Sequence, residues 1–444
     1  MSNPLIDLSR RRLLQATSAA TALALSGCRT TGARRTTSGK LRHAGIGVGG
    51  QGAGDLAQIA AHPEVEVAAL CDVDRGHLEK AAELYPEARL YRDWRELFRE
   101  EEGRIDSVHV TIPDHMHAPV ITEALARRLH VYGQKPLTRT VAEARAIANL
   151  ASRARVWTQM GIQNHSNTPY AQALALFRQG HIGKVYEAHV WTDRPHGWWP
   201  QGCDRPEGED EVPEELDWEL WLGVAPYRPY KKGSYHPFAW RGWRDFGTGA
   251  QGDMGCHLMD PAVWFLELGH PLTLRSDGPA PNAETYPEWS RVEYQFAPTR
   301  HTIESGLRLV WHDGGKKVWR ELLDEIGAPE KVYDNACLFL GTNGALLASP
   351  YEVPLLFPKE RFEVEVPEVE TENHWHQWVN ACLGMGATSA PFEYSTHLTE
   401  IVLLGNVALS YPHETLEWDG RRLVFPNRPE AGELLLPHYR EEWS

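Results

Sequence analysis

Cysteine is scarce in this chain, with six in 444 residues. Cys28, Cys71, Cys203, Cys256, Cys337 and Cys382 include no pair at the short spacing of a zinc site or a redox dithiol. A small disulfide-stapled fold is thereby excluded. Positive charge is also short, since 45 Lys+Arg face 60 Asp+Glu for a net charge of −15. Binding to a nucleic-acid backbone is driven by basic side chains that release phosphate counterions, so that class of partner is excluded too. Internal repeats are missing, and so is any apolar run past the first thirty residues long enough to cross a bilayer. Hydrophobic residues at 42% and charged residues at 24% describe a globular chain with ample length for two domains. Tryptophan, by contrast, is abundant at 17.

Residues 1–40 stand apart from the rest. Ser9-Arg10-Arg11-Arg12-Leu13-Leu14 is a twin-arginine pattern, and the small-residue apolar run from Ala16 to Gly27 is too short to span a membrane. Leu25-Ser26-Gly27-Cys28 follows the order of a lipobox, in which the cysteine is lipidated and becomes the mature N-terminus. Thr30 to Lys40 reads as a small, polar, basic tether. The expectation is export by the twin-arginine route, to the periplasm or to a membrane surface through a lipid anchor at Cys28. This segment holds seven basic residues against Asp7 alone, so the chain without it carries −21. Twin-arginine export carries folded proteins, and a cofactor can be loaded before transport.

Residues 41–160 alternate apolar runs with amphipathic stretches. The patterns predict strands at His43–Val48, Val65–Cys71, Ser107–Ile112, His130–Gly133 and Val156–Met160. Helices are predicted at Asp55–Ala61, Arg75–Leu84, Pro119–Arg128 and Val141–Arg153, the last opened by a Thr140/Glu143 capping box. Such alternation implies a doubly wound parallel sheet covered on both faces. Residues 161–444 change character. A helix at Tyr170–Gln179 and a strand at Lys184–Thr192 precede a Trp-, Pro- and Gly-rich stretch from Asp193 to Gly252. Beyond it Val292, Tyr294, Phe296 and Leu307, Leu309, Trp311 alternate as half-buried strands, with Asp313-Gly314-Gly315 read as a hairpin turn. The expected fold is α/β throughout: an N-terminal doubly wound domain, then an α/β domain with an open, mainly antiparallel sheet.

Gly47, Gly49 and Gly52 form G-x-G-x-x-G between the first strand and the first helix, with Gly50 and Gln51 inside the turn. The first glycine permits the tight turn, the second lets the backbone approach a pyrophosphate, and the third lets helix and strand pack closely. The pyrophosphate would rest on the open N–H groups of the helix N-terminus. Asp72 follows at the end of the second strand, where a carboxylate binds the ribose 2′-hydroxyl and repels a 2′-phosphate. NAD is therefore favoured over NADP. Pro113-Asp114-His115-Met116-His117 and Gln134-Lys135-Pro136 end the fourth and fifth predicted strands, so Pro113, Asp114, His117 and Lys135 are expected to border the cofactor. Asp253 and His257 share one face of a helix opened by Gly252-Asp253-Met254-Gly255. No metal is expected, since His115 and His117 lack a third ligand at a usual spacing.

Together with Tyr235–Asp245 (YHPFAWRGWRD), these motifs resemble the Gfo/Idh/MocA oxidoreductases, over nearly all of residues 41–420. Within that family the chain is most similar to exported bacterial members with a Trp-rich insertion. The resemblance implies a Rossmann domain, a catalytic set at Lys135, Asp253 and His257, and frequent oligomers. On that reading His257 is the general acid/base, Lys135 stabilises charge on the reacting oxygen, and Asp253 orients substrate or tunes the pair. One departure stands out: Gln134 occupies a position where the family commonly has Glu, and a lost carboxylate would lower the Lys135 pKa or loosen its placement.

Trp198, Trp199, Trp218, Trp221, Trp240 and Trp243 crowd the insertion with Tyr227, Tyr230, Tyr235, Arg241 and Arg244. Flat aromatic faces beside polar groups suit a sugar ring, although any single Trp is as well explained by packing. Lys135, Tyr235, Trp240, Arg241, Asp253 and His257 are the expected substrate contacts. The expected function is oxidation or reduction of a secondary hydroxyl or ketone of a carbohydrate or cyclitol, with tightly held NAD, because an exported enzyme has no replenished pool. A homo-oligomer through the second domain's sheet is expected. Two alternatives stay open: an NAD-dependent glycosidase resembling glycoside hydrolase family 109, acting by transient oxidation and elimination, and a non-catalytic Rossmann-fold binding lipoprotein.

Overall fold

The computed structural model describes residues 39–329 and 331–443; the twin-arginine run, the apolar stretch and Cys28 lie outside the described residues. The first half runs β1 (Leu41–Ile46), α1 (Gln51–Ala60), β2 (Val65–Cys71), α2 (Arg75–Leu84), β3 (Arg89–Tyr91), α3 (Trp94–Glu100), β4 (Ser107–Val110), α4 (Asp114–Ala126), β5 (His130–Gln134), α5 (Val141–Ala154) and β6 (Thr158–Gly161). All six strands are parallel, in the order β3-β2-β1-β4-β5-β6. Parallel strands need crossover connections, and the helices that supply them shield both faces, which is why β4 and β6 are buried at every position. The order reverses direction between β1 and β4, and the crevice at that switch is where a doubly wound sheet binds its ligand. Thr140 and Glu143 form the expected reciprocal capping box on α5. The short edge strand β3 and the seven-residue α3, capped by Asp93, have no counterpart in the predicted pattern.

The second half runs α6 (Thr168–Arg178), β7 (Val185–Trp191), α7 (Trp218–Leu222), α8 (Gly249–Leu258), α9 (Asp260–Phe265), β8 (Pro271–Asp277), β9 (Arg291–Phe296), β10 (Leu307–His312), α10 (Arg320–Glu325), β11 (Ala336–Gly341), β12 (Gly344–Ala348), β13 (Leu355–Phe357), α11 (His374–Cys382), α12 (Phe392–Leu409) and β14 (Thr415–Glu417). Its sheet has the order β13-β12-β11-β7-β10-β9-β8-β14. Only β7 and β10 pair in parallel; the other neighbours are antiparallel. The alternating residues of β9 and β10 pair as expected, but Asp313-Gly314-Gly315 does not turn a hairpin. The Asp313 carboxylate instead accepts hydrogen bonds from Ser290 and Trp311, and the next strand, β11, pairs with β7.

Three features carry the second half onto the first. The long helix α12, buried over most of its length, packs against α5, α8 and β8. Helix α11 covers the first sheet, where Trp378, Val379 and Cys382 join Leu41, Ile59 and Tyr132 in one apolar cluster. The Trp-rich insertion forms a small core of its own around Trp218, Trp221, Tyr235, Trp243 and Phe246. It is stitched to the loop after β2 by backbone bonds, Arg75 N to Glu215 O (2.9 Å) and Asp217 N to Val73 O (3.0 Å), and by Arg92 donating to Val73 O and Glu215 O. No described helix is long and apolar enough to cross a membrane.

Candidate active site

One cavity of ≈ 550 Å³ runs from the glycine turn to the junction of the two halves. At its first end the chain leaves β1 through Gly47, whose φ is +80° and where a Cβ would collide with the Thr111 carbonyl, so no side chain fits. Gly52 lies equally close to the Gly47 carbonyl, so α1 starts tight against the strand. The N-cap residue, Gly50, supplies no side-chain oxygen, and the first-turn N–H groups of α1 are left for an anion. Asp72 Oδ2 accepts from Val48 N at 2.9 Å and Oδ1 from Asp74 N at 2.9 Å, which fixes the carboxylate beside the turn. These features fit a dinucleotide: a crowded glycine turn, open helix N–H groups and a held carboxylate. Gly47, Gly49, Gly50, Gln51, Gly52, Asp72, Pro113, Asp114 and Lys135 all line the cavity.

At the other end, Lys135 leaves β5 and its Nζ donates to the Asp253 carboxylate (2.8 Å) and carbonyl (2.9 Å). Arg241 Nε also donates to Asp253, at 3.1 Å. Burial alone would raise the Asp253 carboxyl, but Lys135 and Arg241 hold it down at about 2, so it stays an anion. His257, one helical turn along α8, is lowered to about 3 by burial and by the charge of Lys135. It is a neutral imidazole, with Asn164 Nδ2 3.3 Å from its Nδ1. With the amide nitrogen donating, Nδ1 is the acceptor and the ring proton sits on Nε2. The ordinary near-neutral titration of histidine, which made His257 the expected acid/base, is therefore absent here.

Asp114 opens α4 and is 3% exposed. Its Oδ2 accepts from Thr248 Oγ1 at 2.7 Å. Thr248 is the N-cap residue of α8, but its hydroxyl makes no cap bond because Asp114 takes it. Burial pushes the Asp114 carboxyl up to about 7, against the opposing pull of Thr248 and Lys135.

Two expected contacts lie elsewhere. Tyr235 is buried in the insertion core, ring to ring with Trp218, Trp243 and Phe246, and does not line the cavity. His117 is also withdrawn, held between the carbonyls of Pro136 (2.8 Å) and Ile112 (2.7 Å), where it ties the ends of β4 and β5 together. Of the clustered tryptophans, Trp221 and Trp240 reach the cavity, while Trp218 and Trp243 pack. Gln134 does not face Lys135 with its amide nitrogen; Nε2 donates to Asp55 Oδ2 at 2.9 Å, and Oε1 accepts from Lys135 N at 3.1 Å. Asp55 is buried and also accepts from Thr111, Gln51 and Trp375. Lys135 is thus placed by Asp253, and Gln134 serves a different carboxylate. The pattern gave no sign of Asn164, Thr248, His77 or His236. Asp74, His77 and His236 bring three donor atoms within 4.8 Å of one another, yet Asp74 already caps α2 and accepts from His236 at 2.9 Å.

A doubly wound sheet with this cavity at its switch point defines an NAD-binding oxidoreductase. Residues 41–162 match the oxidoreductase family's NAD-binding Rossmann fold, and residues 196–311 match its C-terminal alpha/beta domain. The chain belongs to the Gfo/Idh/MocA oxidoreductase family. An inositol 2-dehydrogenase of Salmonella typhimurium is 27% identical over 147 residues, 32% of this chain and 43% of that enzyme. A glycosyl hydrolase family 109 protein of Shewanella baltica is 27% identical over 210 residues, 40% of this chain and 44% of the relative. The chain thus spans less than half the length of either relative. The WlbA dehydrogenase of Bordetella pertussis, solved with NADH and UDP-GlcNAcA, superposes with a TM-score of 0.60 at 15% identity, covering 86% of this chain and 99% of that one. At that identity the likeness establishes the fold.

Proposed function

We propose that the protein oxidises a secondary hydroxyl, or reduces the corresponding ketone, of a carbohydrate or cyclitol with a tightly held NAD. The observation that carries this reading is the Lys135–Asp253 pair beside neutral His257, in the same cavity as the glycine turn. Bound nicotinamide supplies the hydride acceptor. Lys135 donates to the reacting oxygen and stabilises the negative charge that develops there, and Asp253 keeps the ammonium in place. His257, with its proton on Nε2, is a second donor to that oxygen, and a poor base. Trp221 and Trp240 offer aromatic surface to the C–H face of a ring, and Arg241 reaches ring hydroxyls. Retention of the cofactor follows from the insertion, which contributes His236, Phe238 and Trp240 to the cavity wall and is bonded to the loop carrying Asp72. Such retention suits export to the periplasm, with or without a lipid anchor at Cys28.

The similarity to an inositol dehydrogenase supports a polyol substrate. A panel of cyclitols and aldoses, offered to the native protein with NAD, tests the reading by the appearance of NADH absorbance. Turnover that is lost in Lys135→Met supports it. Absence of reduction with every polyol, while nucleotide binds, counts against it. The similarity to a family 109 protein keeps a second reading in view, a redox-neutral glycosidase. Release of the aglycone from an aryl glycoside without net NADH would select it.

A further inference from the structure

Oxidising an alcohol sends a hydride to the nicotinamide and releases a proton. Neither Asp253 nor His257 can hold that proton near neutral pH, since both are basic only in acid. Lys135 already carries its full complement of protons while it donates to Asp253. Asp114 is the remaining carboxyl at this end of the cavity. One oxygen is bonded to Thr248; the other, Oδ1, makes no hydrogen bond among the described residues, although the side chain is nearly all buried and lines the cavity. A buried polar atom without a protein partner, open to a ligand cavity, is placed to answer the ligand.

We propose that Asp114 stores the proton of each turnover, ionised when the nicotinamide ring is oxidised and cationic, protonated when the ring is reduced and neutral. The idea rests on the dehydrogenase reading above and adds a destination for the proton. In balance, a secondary alcohol, NAD+ and the Asp114 carboxylate give a ketone, NADH and the Asp114 carboxylic acid. The C–H bond breaks with its electron pair moving to the ring, the O–H proton ends on the carboxylate, and total charge is conserved inside a closed cavity. Returning hydride and proton to a second carbonyl would reset the site without exchange with solvent, which suits an enzyme that keeps its cofactor. The charged and titratable groups facing Asp114 are Lys135 after β5, Asp253 and Cys256 on α8, Arg241 in the insertion and Tyr286 before β9. Asp253 and Cys256 titrate far from neutrality, at about 2 and about 12, and burial raises the Tyr286 phenol above its ordinary value. Burial puts Asp114 between these extremes, at about 7.

The test measures binding constants for NAD+ and NADH to the full chain, stripped of nucleotide, from pH 5.5 to 8.5. If Asp114 follows the ring, the ratio of NADH affinity to NAD+ affinity falls about tenfold per pH unit within the window between the acid's two pKa values. Titration calorimetry in two buffers of different ionisation enthalpy should then count a proton taken up with NADH, or expelled with NAD+. Asp114→Asn, which keeps the acceptor for Thr248, should flatten the ratio while both nucleotides still bind. A wild-type ratio that is flat with pH overturns the proposal, and this measurement needs no variant to fold. So does an Asp114→Asn protein that weakens both nucleotides equally and keeps the wild-type slope, the result of a merely structural role. If neither nucleotide binds, the dehydrogenase reading falls as well, which separates the two failures.

Discussion

Replacing Gln134 by Glu restores the residue common in the family and should damage this protein. The Gln134 amide nitrogen lies 2.9 Å from Asp55 Oδ2, and both side chains are buried. Glu at 134 keeps the shape but turns the donor into an oxygen that faces a carboxylate. Two unit charges about 3 Å apart repel by roughly 5 kcal/mol even at an effective dielectric constant of 20. The protein can avoid that by keeping one of the two acids protonated. For a carboxyl with an ordinary pKa near 4.3, holding the proton at pH 7 costs about 3.7 kcal/mol, at about 1.36 kcal/mol per pH unit. The cheaper route prevails, so Gln134→Glu should be destabilised by about 3–4 kcal/mol at pH 7. The sign follows from linkage: an acid whose folded-state pKa is raised penalises the fold above its unfolded pKa, and the penalty vanishes below it. Urea unfolding of the variant and the parent at pH 7.5 and pH 4.5 measures the difference. A loss near 3 kcal/mol at pH 7.5 that shrinks below about 1 kcal/mol at pH 4.5 supports the geometry. Equal stability at both values, with Asp55 intact, would refute the Gln134–Asp55 contact as the reason for this residue.

Other consequences can be checked with single variants. Lys135→Met should lower kcat by about 10²–10³-fold, the size of a lost oxyanion donor, while NAD affinity changes little, as read by initial rates and nucleotide titration. The pH profile of kcat/KM should show a limb near 7 that survives in His257→Asn and disappears in Asp114→Asn, because burial and Lys135 move the imidazole to about 3 and burial raises the Asp114 carboxyl to about 7; a limb abolished by the His257 variant would contradict this. His236→Ala removes the donor to Asp74, the side-chain link between the insertion and the loop after β2. Loss of a hydrogen bond to a charged group is worth about 1.5 kcal/mol, so stopped-flow displacement should show nucleotide leaving roughly tenfold faster.

Much of the first sheet could be read in the chain because its physics is local. β2 and α2 have their predicted ends, the Thr140–Glu143 box starts α5, and the glycine spacing around Gly47 implies the turn that the carbonyl of Thr111 enforces. The edge strand β3 was hidden because three residues with exposed side chains carry no period of two. The site was half legible. Lys135, Asp253 and His257 share one cavity, yet their charge states depend on partners brought from distant segments: Arg241, Asn164 and Thr248. Tyr235 and His117 misled for a related reason. A Tyr amid tryptophans and a His at a strand end look the same in a sequence whether they face a ligand or, as here, a small aromatic core and two carbonyl groups. Gln134 looked like a lost partner of Lys135 because its true neighbour, Asp55, is 79 residues away.

The central claim is that this cavity holds a nicotinamide dinucleotide and passes hydride between it and a polyol. Native protein, purified without added nucleotide and then acid-denatured, should release NAD or NADH in a near-equimolar amount by mass and absorbance. The undenatured sample should gain the reduced-ring absorbance when the right polyol is added. Protein that releases no dinucleotide, and takes up none when NAD is supplied, would contradict the account.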